Sequence, residues 1–156
     1  MTMTSLDIRP FEGTTPIKFG MKRPDVRYIL GHPDSYNERV DSWGRRHEVH
    51  IGYDVDDCVY EIGLAPGSYR LTFNGRTIWG PDHHPDPNPT FLALDQEPLD
   101  CLGFLVFPGL GVATTGYHDD DPNQLAISVY QKGAWDGSLL KAKKPVLDKY
   151  NPHKSG

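Results

Sequence analysis

The chain has 156 residues, a formal net charge of -5 and 37% hydrophobic residues, which fits one domain and leaves little room for a second core. No apolar run approaches the ~20 residues of a membrane span, and 14 prolines with 16 glycines exclude a helical bundle, because both residues interrupt helices. The segment from Lys141 to Gly156 holds five lysines and one aspartate, a balance of +4, which leaves -9 for the body before it. An acidic body argues against nucleic acid as a partner, since phosphate contacts need a basic face, and suits a basic protein partner better.

Residues Met1 to Thr15 are mostly polar, so a flexible N-terminus over 1–16 is expected, followed by one domain over 17–140 and a basic, mobile tail over 141–156. Met1 to Asp7 lacks a basic region followed by an apolar stretch, so no signal peptide is expected. A soluble, cytoplasmic protein follows, in which Cys58 and Cys101 stay reduced and act as small core residues.

Order is expected from Pro16 onward. Arg23 to Leu30 reads as a short helix: Pro24 fits the first turn, Asp25 suits the positive end, and Val26, Ile29 and Leu30 recur at one-face spacing. Gly31 and Pro33 stop it. Ser35 to Trp43 is a weaker candidate strand. His47 to Tyr53 alternates, with Val49, Ile51 and Tyr53 on one face, so His47 and His50 are expected on opposite faces. Asp54 to Asp57 turns the chain, and Cys58, Tyr60, Ile62 and Leu64 are expected to alternate with Val59, Glu61 and Gly63. Arg70 to Phe73 and Arg76 to Trp79 flank Asn74-Gly75, the strongest short hairpin signal.

Gly80 to Pro89 carries four prolines and is expected to be a loop dividing the fold. Thr90 to Asp95 suggests a second short helix. Cys101 to Phe107 is apolar at nearly every position and reads as a central strand covered on both faces. Val112 begins its partner, and Leu125, Ile127 and Val129 mark a last strand. The fold class is therefore α+β, mostly antiparallel sheet with one or two short helices. The shared order of helix and strands suggests two similar α-β-β halves.

Two polar clusters stand out. Asp82, His83 and His84 combine donors that bind zinc or a related ion, with His118 and Asp119 as further ligands. Adjacent histidines on a proline-stiffened loop point apart, however, and the i, i+4 spacing of a zinc helix is missing. His118, Asp119, Asp120 and Asp121 offer three consecutive carboxylates without the alternating oxygens and glycine of a calcium loop. As a patch, these residues and the Asp82 to His84 loop are candidates for a partner interface. No nucleophile elbow, phosphate-binding loop or dinucleotide fingerprint is present, so no catalytic residue and no cofactor is expected.

The run Ile17-Lys18-Phe19-Gly20-Met21, continuing to Val26, Leu30, Gly31 and Pro33, resembles a bacterial opening of I-x-F/L-G-M-x-x-x-x-V-x-x-x-L-G-x-P type. Val49 to Asp54 with Val59 to Ile62, Phe107 to Val112, and Ile127 to Asp136 look like the hairpin and closing strands of the same group. That group of small bacterial proteins resembles immunity proteins of polymorphic toxin systems. The opening is also similar to that of the small lipoprotein of the outer-membrane β-barrel assembly machinery, but no lipidation cysteine follows a signal segment here. The resemblance implies a non-enzymatic protein that occludes the active site of a cognate, basic toxin. The alternative is a metal-dependent hydrolase or metal-binding protein using the His83/His84 loop. The proline-rich loop sits where the group has a regular second helix.

Overall fold

A computed structural model describes residues 5–150. In chain order these form β1 (Ser5–Arg9), β2 (Gly13–Thr15), β3 (Ile17–Lys18), α1 (Arg23–Leu30), β4 (Ser35–Tyr36), β5 (Val40–Trp43), β6 (Val49–Tyr53) and β7 (Val59–Leu64). Then follow β8 (Arg70–Phe73), β9 (Arg76–Trp79), α2 (Asn88–Leu94), β10 (Leu99–Cys101), β11 (Phe104–Phe107), β12 (Val112–Thr115), β13 (Ala126–Tyr130) and α3 (Asp136–Leu139). The class is α+β and mostly antiparallel. Among the described residues, no helix is long and apolar enough to cross a membrane.

Eight strands make one sheet in the order β10-β11-β12-β13-β7-β6-β5-β4, and five make a second in the order β3-β2-β1-β8-β9. The large sheet shows the expected duplication in an extended form. Each half is a helix followed by a four-stranded meander, and the last strands of the halves, β7 and β13, pair antiparallel at the centre. The likeness ends at the small sheet. There β1 and β8 run parallel, whereas a two-fold axis through the β7–β13 pair would set equivalent strands antiparallel.

The main core lies between the inner face of the large sheet, the small sheet and the first two helices. Val49, Leu64, Ile127, Leu105 and Ile51, Ile62, Val129, Val112, Phe107 form two cross-strand rows on that inner face, all buried. Leu6, Ile8, Leu71 and Phe73 of the small sheet and Val26, Leu30 and Phe91 of the helices meet them. Two polar side chains interrupt the inner rows, and each holds a helix. Asp41 accepts two hydrogen bonds from Arg27 of α1, at 2.6 and 2.9 Å, and one from Tyr53. Thr114 donates to Asn88 of α2 at 2.7 Å. Asn88 in turn donates to the Tyr150 hydroxyl, which donates to Asp86.

Several sequence expectations need correction. Residues 5–15 are ordered strands: Leu6 and Ile8 are buried because β1 lies between β2 and β8. Met1 to Thr4 and 151–156 fall outside the described residues. The basic segment is packed as far as Tyr150; Lys143 pairs its backbone with Asp100, and Tyr150 closes the Asn88 network. Cys101 to Phe107 is two strands joined at Leu102-Gly103, both of positive φ, and it lies at the sheet's edge. Cys101 and Leu105 to Phe107 are nonetheless buried, since Trp135 and Leu139 pack on the outer side with Cys101 and Val106, whereas Leu102 at the turn is exposed. The second helix starts at Asn88, and α3 is a third, not foreseen. Asn74 and Gly75, at φ 48 and 85, form the expected tight turn.

Candidate functional site

The outer face of the large sheet is unevenly covered. One row of neighbours runs Ser42, His50, Gly63, Ser128, Ala113, Val106, Leu99 across six strand pairings. At its apolar end α3 and Trp135 seal it. Over β5, β6, β7 and β13 the row turns small and polar, through Ser42, His50, Gly63 and Ser128. Sheets usually hide one face and solvate the other, but a solvated face is normally tiled with long charged side chains. Here Gly52, Gly63 and Ser128 leave a shallow floor.

A β-bulge furnishes the edge of that floor. Gly52 pairs with Glu61 and Tyr53 with Val59, so Tyr60 is an extra residue in β7. Val59 and Ile62 both point into the core, and the two residues between them, Tyr60 and Glu61, therefore share the outer side. The expected alternation, with Tyr60 inward beside Ile62, fails for this reason. Gly52 makes room: a Cβ there would stand 3.4 Å from the Tyr60 ring and 3.6 Å from the Glu61 Cβ.

Glu61 sits between Gly52 on one neighbouring strand and Tyr130 on the other. The Tyr130 ring stacks on Trp135 at 5.2 Å, and Phe104 meets Trp135 edge-on at 5.0 Å. Tyr60, Glu61, Leu102, Phe104, Trp135 and Ser138 line a cleft of about 300 Å³. Burial pushes the Glu61 carboxyl above its ordinary value, while the neighbouring Trp135 indole N–H acts the other way. Among the described residues no Lys, Arg or His forms an ion pair with Glu61.

His47 and His50 do not diverge as expected. His47 takes a left-handed conformation at φ 55 before β6 begins, and its ring stacks on His50 with centroids 6.0 Å apart. His50 Nδ1 lies 2.8 Å from Ser42 Oγ. Burial and His47 both push the His50 ring below its usual value. The pair has the form of a nucleophile and base, but Ser42 is paired with Ser35 on one side and His50 on the other.

The polar clusters read from the sequence meet at a different corner. The Tyr117 hydroxyl donates to the His84 carbonyl at 2.9 Å, which joins the two loops. His84 bonds Gly67 through Nε2 and packs edge-on against Trp79, while Asp82 and His83 are exposed. Asp120 pairs with Lys149 at 2.8 Å, and Asp121 accepts from the Asn123 amide. His118 lies 4.0 Å from Asp119, whose side chain is 46% exposed. Among the described residues, no three His, Cys, Asp or Glu side chains gather closely enough to hold a metal ion. The acidic run is thus partly neutralised from within, by a lysine of the segment taken for a free tail.

The Tyr60–Glu61 edge was missed in the sequence because its only signal was the glycine across the hairpin at Gly52. Comparison with protein-family models, with curated proteins and with solved structures gives no match.

Proposed function

We propose that the chain is a non-enzymatic binding protein, an immunity protein that holds a basic toxin on the outer face of its large sheet and occludes the toxin's active site. The observation that carries this reading is the half-buried, small-residue floor of Gly52, Gly63 and Ser128 beside the cleft of Tyr60, Phe104 and Trp135. Interfaces concentrate their energy in aromatic side chains at well-packed centres, and small residues admit the partner's own side chains. The chain carries a net -5, a field that steers a basic partner at low salt and weakens as salt screens it. Asp119 and Asp82, exposed at the other corner, add to that field without forming the contact, and the neutral or cationic ring of His83 does not. The cytoplasm, where such a toxin would act on its own producer, is the compartment this role requires.

Co-expression with the product of the neighbouring gene tests the reading. The product alone arrests growth and the chain restores it. Gly63→Tyr fills the floor, and its Cβ stands in ordinary contact with His50, the nearest atom at 3.5 Å. This variant is expected to lower affinity by about tenfold or more and to lose the rescue, with Tm unchanged. A harmless product, or rescue by Gly63→Tyr equal to that of the original chain, contradicts the proposal.

A further inference from the structure

Resting on the binding role above, we infer that the cleft between Tyr60, Phe104 and Trp135 receives an arginine side chain of the partner, with Glu61 as its counter-ion. Four observations converge on this chemistry. The bulge sets an aromatic ring and a carboxylate side by side on one face, an arrangement that a regular strand cannot make. Three aromatic residues line the cleft, and their π-faces attract cations. Glu61 is half-buried and has no cation of its own among the described residues, although a carboxylate withdrawn from water is usually paired. The Trp135 ring is fixed by stacking on Tyr130, so the pocket is formed before anything enters it.

The choice of arginine over lysine follows from shape and hydration. A guanidinium is planar, stacks on aromatic rings and grips both carboxylate oxygens, and it gives up water more readily than an ammonium group. The chain builds the same combination inside itself. The Arg23 guanidinium lies 4.2 Å over the Tyr53 ring while its Nε sits 2.9 Å from Asp57. The outer cleft offers the aromatic and acidic halves of that arrangement, with the cation left to come from outside. Two other grooves each carry a cation of their own in the lining: the one along Trp43 and Tyr69 has Arg45 as well as Glu48, and the larger one of about 490 Å³ between Pro98 and Leu147 has Lys143 and Lys144 as well as Glu97.

The probe is the peptide acetyl-Gly-Arg-Gly-amide, titrated into the full chain beside its citrulline isostere, which has the same shape without the charge. One side chain is expected to bind at ~1–10 mM, so both titrations run to about 50 mM. The indole N–H resonance of Trp135 reports binding; those of Trp43 and Trp79, buried and bonded to the Gly31 and Pro85 carbonyls, serve as internal controls. The expected result is a Trp135 shift with the arginine peptide at about tenfold lower concentration than with citrulline, a difference that Glu61→Gln erases. Glu61→Gln is expected to hold or raise Tm, because a half-buried charge is removed, so lost binding is not lost folding. No Trp135 shift, or equal shifts with both peptides, overturns the inference. If the titration fails while Gly63→Tyr still abolishes rescue, the arginine pocket falls and the binding role stands. If Gly63→Tyr also leaves rescue intact, both fall.

Discussion

Asp41→Ala is expected to lower the unfolding free energy by roughly 3 kcal/mol, toward the lower end of what breaking a buried ion pair costs. Asp41 is fully buried on the inner face of the large sheet, where its row continues through Ile51 and Ile62. It is tolerated there because Arg27 grips both of its oxygens, the Tyr53 hydroxyl adds a third bond, and Arg23 stands 3.7 Å away. Removing the carboxylate strands the Tyr53 hydroxyl and frees α1 from β5. The loss is not larger because the Arg27 side chain is 30% exposed and can turn to water.

The same site sets an acid limit. Burial alone would raise the Asp41 pKa, but the bonds from Arg27 and Tyr53 and the charge of Arg23 outweigh it and hold the carboxyl below its ordinary value. A depressed carboxylate stabilises the fold above its unfolded-state pKa, about 3.9, and that contribution drains away as pH falls through the lower folded-state value. Denaturant midpoints measured from pH 6 downward should therefore decline below about pH 4 in the original chain and decline less in Asp41→Ala. Parallel profiles would show that the pair does not stabilise the fold.

Ile8→Ala should cost about 3–4 kcal/mol, as large-to-small changes at sites that cannot collapse do. Ile8 is fully buried at the middle of the small sheet, paired with Thr14 on one side and Phe73 on the other. Both neighbouring strands hold their backbones fixed, so the space left by the side chain persists. Equilibrium unfolding in urea should show the drop in midpoint at unchanged slope. An effect under about 1 kcal/mol would mean that β1 does not close the core.

That strand also shows why part of the fold was hidden in the sequence. Ser5-Leu6-Asp7-Ile8-Arg9 holds only two apolar residues in a polar stretch, and its partner β8 lies more than 60 residues away. Local periodicity cannot report a pairing made at that distance. Where the signal is local, it was legible. Pro24, Asp25 and Gly31 mark α1, Asn74-Gly75 marks its hairpin, and alternation marks β6 up to Tyr53. The legibility ends at the bulge, because one extra residue reverses the facing of everything before it while leaving composition untouched. The polar clusters are dense in sequence, yet Asp120, Asp121 and His84 are held by Lys149, Asn123 and Gly67. Glu61, a half-buried carboxylate with no ion pair among the described residues, is isolated in sequence, and no local motif flags it.

Hydroxyl-radical footprinting of the chain, free and bound to the neighbouring gene's product, bears most directly on where that product is held. Tyr60, Phe104 and Trp135 should be oxidised in the free chain and shielded in the complex, with Tyr28 and Tyr36, exposed on α1 and β4, serving as unprotected references. Unchanged oxidation of Tyr60 and Trp135, with shielding confined to the corner of His83 and His118, would place the interface on the acidic loops and contradict the open-face site.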